Sequence, residues 1–127
     1  MKRLVVTATA LAVVCLIATV PVPAQAQSQG ETSCQVTDVS AFADRVHVRC
    51  VLSEVDRRFN NRLGLPQIEY FAVANTEEFA NSFATVATAA RQANKPLAII
   101  FSTDPNQNPA GCLTSDCRAA VSARLIY

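Results

Sequence analysis

Residues Asn75–Thr103 read NTEEFANSFATVATAARQANKPLAIIFST, and this stretch decides the fold. It predicts one amphipathic helix followed by one buried strand. Phe79, Phe83, Val86, Ala87 and Ala90 recur at helical spacing and share one face. Ala80, Ala84 and Ala89 widen that face and let a sheet approach closely. Asn75, with Glu78 three residues on, reads as an N-cap with a capping box. Glu77 and Glu78 put negative charge where the helix dipole favours it. Asn94 suits a left-handed C-terminal position, and Pro96 stops the helix. Leu97–Phe101 is then an unbroken apolar run, short enough for a strand buried on both faces.

Strand patterns lie on both sides of this pair. Cys34–Ala41 and Arg45–Leu52 read as a hairpin turning near Phe42–Asp44. In the second run Val46, Val48 and Cys50 alternate against His47, Arg49 and Val51. A turn centred between Ala41 and Ala43 sets Val36 opposite Val48 and Cys34 opposite Cys50. Ser53–Pro66 is charged and punctuated, and reads as an exposed connector with apolar anchors at Val55, Phe59 and Leu63. Arg57, Arg58 and Arg62 within it offer a basic recognition loop as the competing reading. Gln67–Ala74 reads as a third strand, Asp104–Gly111 as a loop, and Arg118–Tyr127 as a last strand.

The chain has 127 residues, and its first 26 read as a secretory signal peptide. Lys2 and Arg3 precede an apolar run over Leu4–Val20, and Ala24-Gln25-Ala26 closes it as a cleavage site. A membrane anchor is the competing reading, but the run is near the short limit for spanning. Cleavage removes two of the eleven basic residues and none of the ten acidic ones, leaving a mature net charge of −1. That balance argues against a general binder of nucleic acid or anionic membranes. Residues 27–33 are polar and read as a flexible leader, so residues 34–127 form the expected domain.

Four cysteines remain after cleavage: Cys34, Cys50, Cys112 and Cys117. An even count in a small exported chain implies two disulfides, with three possible connectivities. Cys34–Cys50 and Cys112–Cys117 are favoured because each closes a local loop, and the hairpin register supports the first. A zinc site would want C-x-x-C pairs, which are missing. The resulting order is strand, strand, strand, helix, strand, strand. It predicts a mainly β fold with one helix, an OB-fold-like five-stranded Greek-key barrel, with an open sheet backed by one helix as the alternative.

Chemistry is sparse. His47 is the one histidine, in mid-strand, with no partner His for a metal and no nucleophile beside it. The chain has three glycines and no phosphate loop. Neither catalysis nor a cofactor nor a metal is expected. The candidate ligand residues are Arg49, Tyr70 and Tyr127, able to stack and hydrogen-bond. His47, Arg49, Tyr70 and Phe71 are the positions an OB-fold would use for nucleic acid, a reading that export and charge oppose.

The C-terminal half resembles the B (receptor-binding) subunits of subtilase cytotoxin and typhoid toxin and related small exported bacterial proteins. The residues carrying this are the Phe79–Ala90 helix, Ala98-Ile99-Ile100-Phe101, and Gly111-Cys112-Leu113-Thr114-Ser115-Asp116-Cys117-Arg118. The N-terminal hairpin with Cys34 and Cys50 also fits that plan. The resemblance implies an OB-fold, ring pentamers and binding of sialylated glycans, and no glycan-contacting residue carries over. The expected function is a non-catalytic, secreted or periplasmic binding protein for a glycan or protein ligand. The alternative is a stand-alone periplasmic structural or inhibitory domain that binds a protein partner.

Overall fold

The computed structural model describes residues 28–127; the expected signal peptide, residues 1–26, lies outside them. Five strands and two α-helices follow one another as β1 (Gln29–Ala41), β2 (Arg45–Leu52), α1 (Glu54–Arg62), β3 (Tyr70–Ala74), α2 (Phe79–Gln92), β4 (Leu97–Ser102) and β5 (Cys117–Leu125). The sheet closes on itself in the order β1–β2–β3–β5–β4. All pairs are antiparallel except β3 with β5.

β1 closes the barrel by pairing on both sides. Its first part, Gln29–Cys34, lies against β4, and Cys34–Ala41 lies against β2. The expected flexible leader is therefore largely strand: only Ser28 among the described leader residues stands outside β1. Its polarity is misleading because alternate residues face inward, with Gly30, Thr32 and Cys34 buried. Gly30 is needed where it stands, since a β-carbon there would come within 2.5 Å of the Phe101 ring.

The hairpin is real, but its register differs from the expected one. Val36 faces Cys50, Cys34 faces Leu52, and Val39 faces Val48. An irregularity between Val36 and Asp38 shifts the ladder, as a β-bulge does. Cys34 and Cys50 are still bonded, as diagonal neighbours with Cα atoms 5.2 Å apart. Cys112 and Cys117 form the second disulfide.

Two α-helices replace the one expected. Residues 53–66 are not an exposed loop, because Ser53 caps α1 by accepting from the Asp56 backbone N–H. Glu54 and Asp56 in the first turn and Arg62 in the last suit the dipole, and Gly64 (φ 68°) follows the helix end. The third strand is shorter than expected, starting at Tyr70, because residues 65–69 leave the sheet to return from α1. α2 starts at Phe79 with no side-chain cap, so Asn75 is not its N-cap. Asn75 instead donates its amide to the carbonyls of Phe42 and Ala43. Its other end follows expectation, with Asn94 left-handed at φ 51°.

α2 packs its Ala80, Phe83, Ala87 and Ala90 face across β1 and β5, with contacts to β2 and β3. Phe83, Phe71, Phe101, Ile68, Leu97 and Ile99 are the largest fully buried side chains. The rings of Phe71 and Phe101 meet at 5.4 Å. Truncating Phe83 to Ala removes a fully enclosed ring from this core. The expected cost is about 3–5 kcal/mol of unfolding free energy, measured by urea denaturation of the oxidised protein. A cost under about 1 kcal/mol would place Phe83 outside the core that supports the barrel.

Candidate functional site

The outward face of β2 begins at a clamped turn. The Phe42 N–H donates to the Arg45 carbonyl, and the Asn75 N–H donates to the Asp44 carbonyl. With the two Asn75 amide bonds, this fixes Phe42 and Arg45 relative to β3 and α2. Phe42 remains 45% exposed.

From that ring a line of side chains runs along β2 and onto β3. The Arg45 guanidinium stacks 4.3 Å from the centroid of Phe42. Its Nε donates to His47 Nε2 at 3.0 Å, and its Nη1 pairs with Asp44 at 2.7 Å. His47 meets the Phe42 ring edge-on at 5.2 Å and the Tyr70 ring at 6.0 Å. Arg49 lies over Tyr70 at 5.7 Å and reaches Glu69 at 3.4 Å. Alternation puts these side chains outside: Val46, Val48 and Cys50 point inward, so His47 and Arg49 face out.

The loop between β4 and β5 walls one side. The Asp116 carbonyl accepts from both the Glu69 and Tyr70 N–H groups. Asn108 donates to the carbonyls of Cys112 and Cys117 and accepts from the Ala119 N–H, so one amide holds the loop to β5. Arg118 is buried and donates to the Thr114 and Cys117 carbonyls at 2.8 and 2.6 Å. The Cys112–Cys117 disulfide packs beside Ala72 with Tyr70 against it. Gly111 (φ 79°) lets the loop touch the site, since a β-carbon there would land inside the Arg45 guanidinium.

Arg49 and Tyr70, both expected from the sequence, are thus brought together. Tyr127 is not. It is fully exposed beyond the far end of β5, roughly 25 Å of strand from Cys117 beside Tyr70. Phe71 is fully buried and belongs to the core. Phe42 and Arg45 were missed in the sequence. A large apolar residue inside a tight turn, with a cation three positions on, is the signal that could have found them. Among the described residues, no three His, Cys, Asp or Glu side chains are placed to hold a metal ion.

No protein-family model matches the chain, and neither a curated protein nor a solved structure matches it. The two disulfides are the mark of a non-reducing compartment. No helix among the described residues is long and apolar enough to cross a membrane.

Burial and the adjacent Arg45 guanidinium push the His47 imidazole below its ordinary value; Asp116 and Asp44 oppose this. Neutral His47 accepts the Arg45 Nε hydrogen bond, which the protonated ring cannot do. The unfolded chain takes up this proton near pH 6.5, above the folded value, so acid favours unfolding. Stability supplied by neutral His47 is present above about pH 6.5 and lost as pH falls through its lowered folded value. Urea midpoints at pH 7.5 and 5.5 should therefore fall more for the wild type than for His47→Gln. Equal falls would remove the coupling between His47 and Arg45.

Proposed function

We propose that the protein is a non-catalytic exported binding protein that takes a glycan on the β2–β3 face. The contiguous line Phe42, Arg45, His47, Tyr70, Arg49 carries this reading. Aromatic rings offer flat apolar surface for sugar rings, while guanidinium groups offer directed donors for hydroxyls. The strand order, with β3 parallel to β5, supports reading the barrel as an OB-fold with a Greek-key path. OB-folds bind oligosaccharides and oligonucleotides on strands 2 and 3 and on the loops joining strands 1–2 and 4–5. Here Phe42 and Asp44 come from the first of those loops and Gly111 and Asp116 from the second. The mature charge of −1 favours a sugar over a polynucleotide. The expected signal peptide and the two disulfides support a secreted or periplasmic location.

A second reading, binding of a protein partner, is supported by α1. Val55, Phe59 and Leu63 recur every four residues and are all exposed, while the one buried residue of the helix is Asn60. A face of that kind fits a partner surface.

A glycan array probed with the mature, oxidised protein separates the two readings. Selective glycan binding is expected, and Tyr70→Ala or Arg49→Ala should weaken it about tenfold, equivalent to about 1.4 kcal/mol. A silent array would sink the sugar reading and leave the α1 surface. Light scattering on the same sample tests the ring pentamer implied by the toxin-subunit resemblance. A mass of five chains is expected, and a mass of one chain would remove the ring.

A further inference from the structure

The binding line does not stop at Arg49. β3 pairs with β2 only as far as Arg49 opposite Tyr70, with one further bond from the Cys50 N–H to the Glu69 carbonyl. Beyond it, residues 65–69 diverge toward α1, and a groove opens between β2 and the helix. It consists of two adjoining hollows of about 400 and 320 Å³ that share Leu52, Arg57, Gln67 and Ile68. Arg49 and Glu69 line the first, so the groove starts where the aromatic line ends. Asn60 lines the second.

The polar groups there are unevenly satisfied. Arg49 is held by Glu69, and Arg58 by Glu54 at 2.7 Å. Arg57 has no ion pair among the described residues. Asn60 is 3% exposed, and its Nδ2 has no hydrogen-bond partner among the described residues. A buried amide donor without an acceptor is unfavourable, and it lies in the helix that walls the second hollow. A free guanidinium lining a groove makes a site for an oxyanion.

We propose that this groove is a second subsite, in which Arg57 takes a carboxylate or sulfate borne by an acidic linear oligosaccharide whose neighbouring sugar stacks on Tyr70. The inference rests on the glycan reading above and names the chemical class that face selects. His47 to Leu52 spans about 16 Å along β2, so the ligand is a chain of several units, with its acid remote from the stacked ring. Gln67, which lines both hollows, takes hydroxyls between them.

The test compares hexasaccharides by calorimetry with the mature, oxidised protein: neutral chitin hexamer, hyaluronan hexamer for carboxylate alone, and chondroitin sulfate hexamer for carboxylate with sulfate. At least one acidic hexamer should bind about tenfold more tightly than the neutral one; a further gain of chondroitin sulfate over hyaluronan assigns sulfate, and equal binding assigns carboxylate. Arg57→Gln should bring that preference close to one, and Arg57→Lys should keep part of it, because the charge stays while the planar fork is lost. Arg57 is exposed on α1, so both variants should fold, which circular dichroism checks. An undiminished preference in Arg57→Gln overturns the subsite. Neutral binding with no gain from the acid overturns the subsite and spares the glycan face. Failure of every hexamer overturns the subsite, and the glycan array decides the face itself. Equal gain from a poly-glutamate peptide also overturns the subsite, since the groove would then read charge without sugar.

Discussion

A sheet of five short strands leaves two edges unless its two end strands pair with each other. Here β1 and β4 make that pair, and the remaining architecture depends on it. The thirteen residues of β1 are enough to serve β4 with one half and β2 with the other. Cys34 sits at the change-over, paired with Leu97 on one side and Leu52 on the other. The bulge past Val36 bends the strand so that both halves remain in one curved surface. With the ring closed, the inward residues of all five strands meet one another and the face of α2. For a domain of this size, that is how enough apolar area is buried.

The proposed binding line is a product of this closure. The turn carrying Phe42 is clamped by Asn75, and the strand carrying Tyr70 is pinned by the Asp116 carbonyl. These supports come from different parts of the chain and reach opposite sides of the same face. The Cys112–Cys117 ring then fixes the loop that stands over Ala72. Rigid support is what lets a few side chains keep their stacking geometry without a ligand, so less ordering is lost on binding.

The buried strand after Pro96, the alternation of β2 and both disulfides were legible because each is written in local spacing. The α2 face was legible for the same reason. Its start was not, because Asn75 satisfies its amide on carbonyls more than thirty residues away, and no local rule sees that. α1 could have been read. Ser53, the acids after it and Gly64 spell its ends, but an apolar-face test fails on a helix that buries only Asn60. The leader failed because composition was weighed over alternation. Its polar residues include the small ones, Gly30 and Thr32, that fit inside a crowded barrel wall. Arg49 and Tyr70 could be picked out by residue type on neighbouring strands, but it is the β2–β3 register that sets them opposite each other. Tyr127 could not be placed, because its position depends on the parallel pairing of β5 with β3.

The double pairing of β1 also imposes an order of events on folding. β1 and β2 are adjacent in the chain and can form their hairpin early, with Cys34 and Cys50 in reach. The outer half of β1 has no such neighbour. Its partner, β4, lies across most of the chain and is synthesised long after it. Until β4 arrives, residues 29–33 present open backbone donors and acceptors, the state in which strands join to other chains. Closing such a distant pair is slow, because the loop must be brought together before its contacts compensate. The vulnerable interval for this protein is therefore the wait of its first strand for its fourth, during which the exposed edge is short and carries one acid, Glu31.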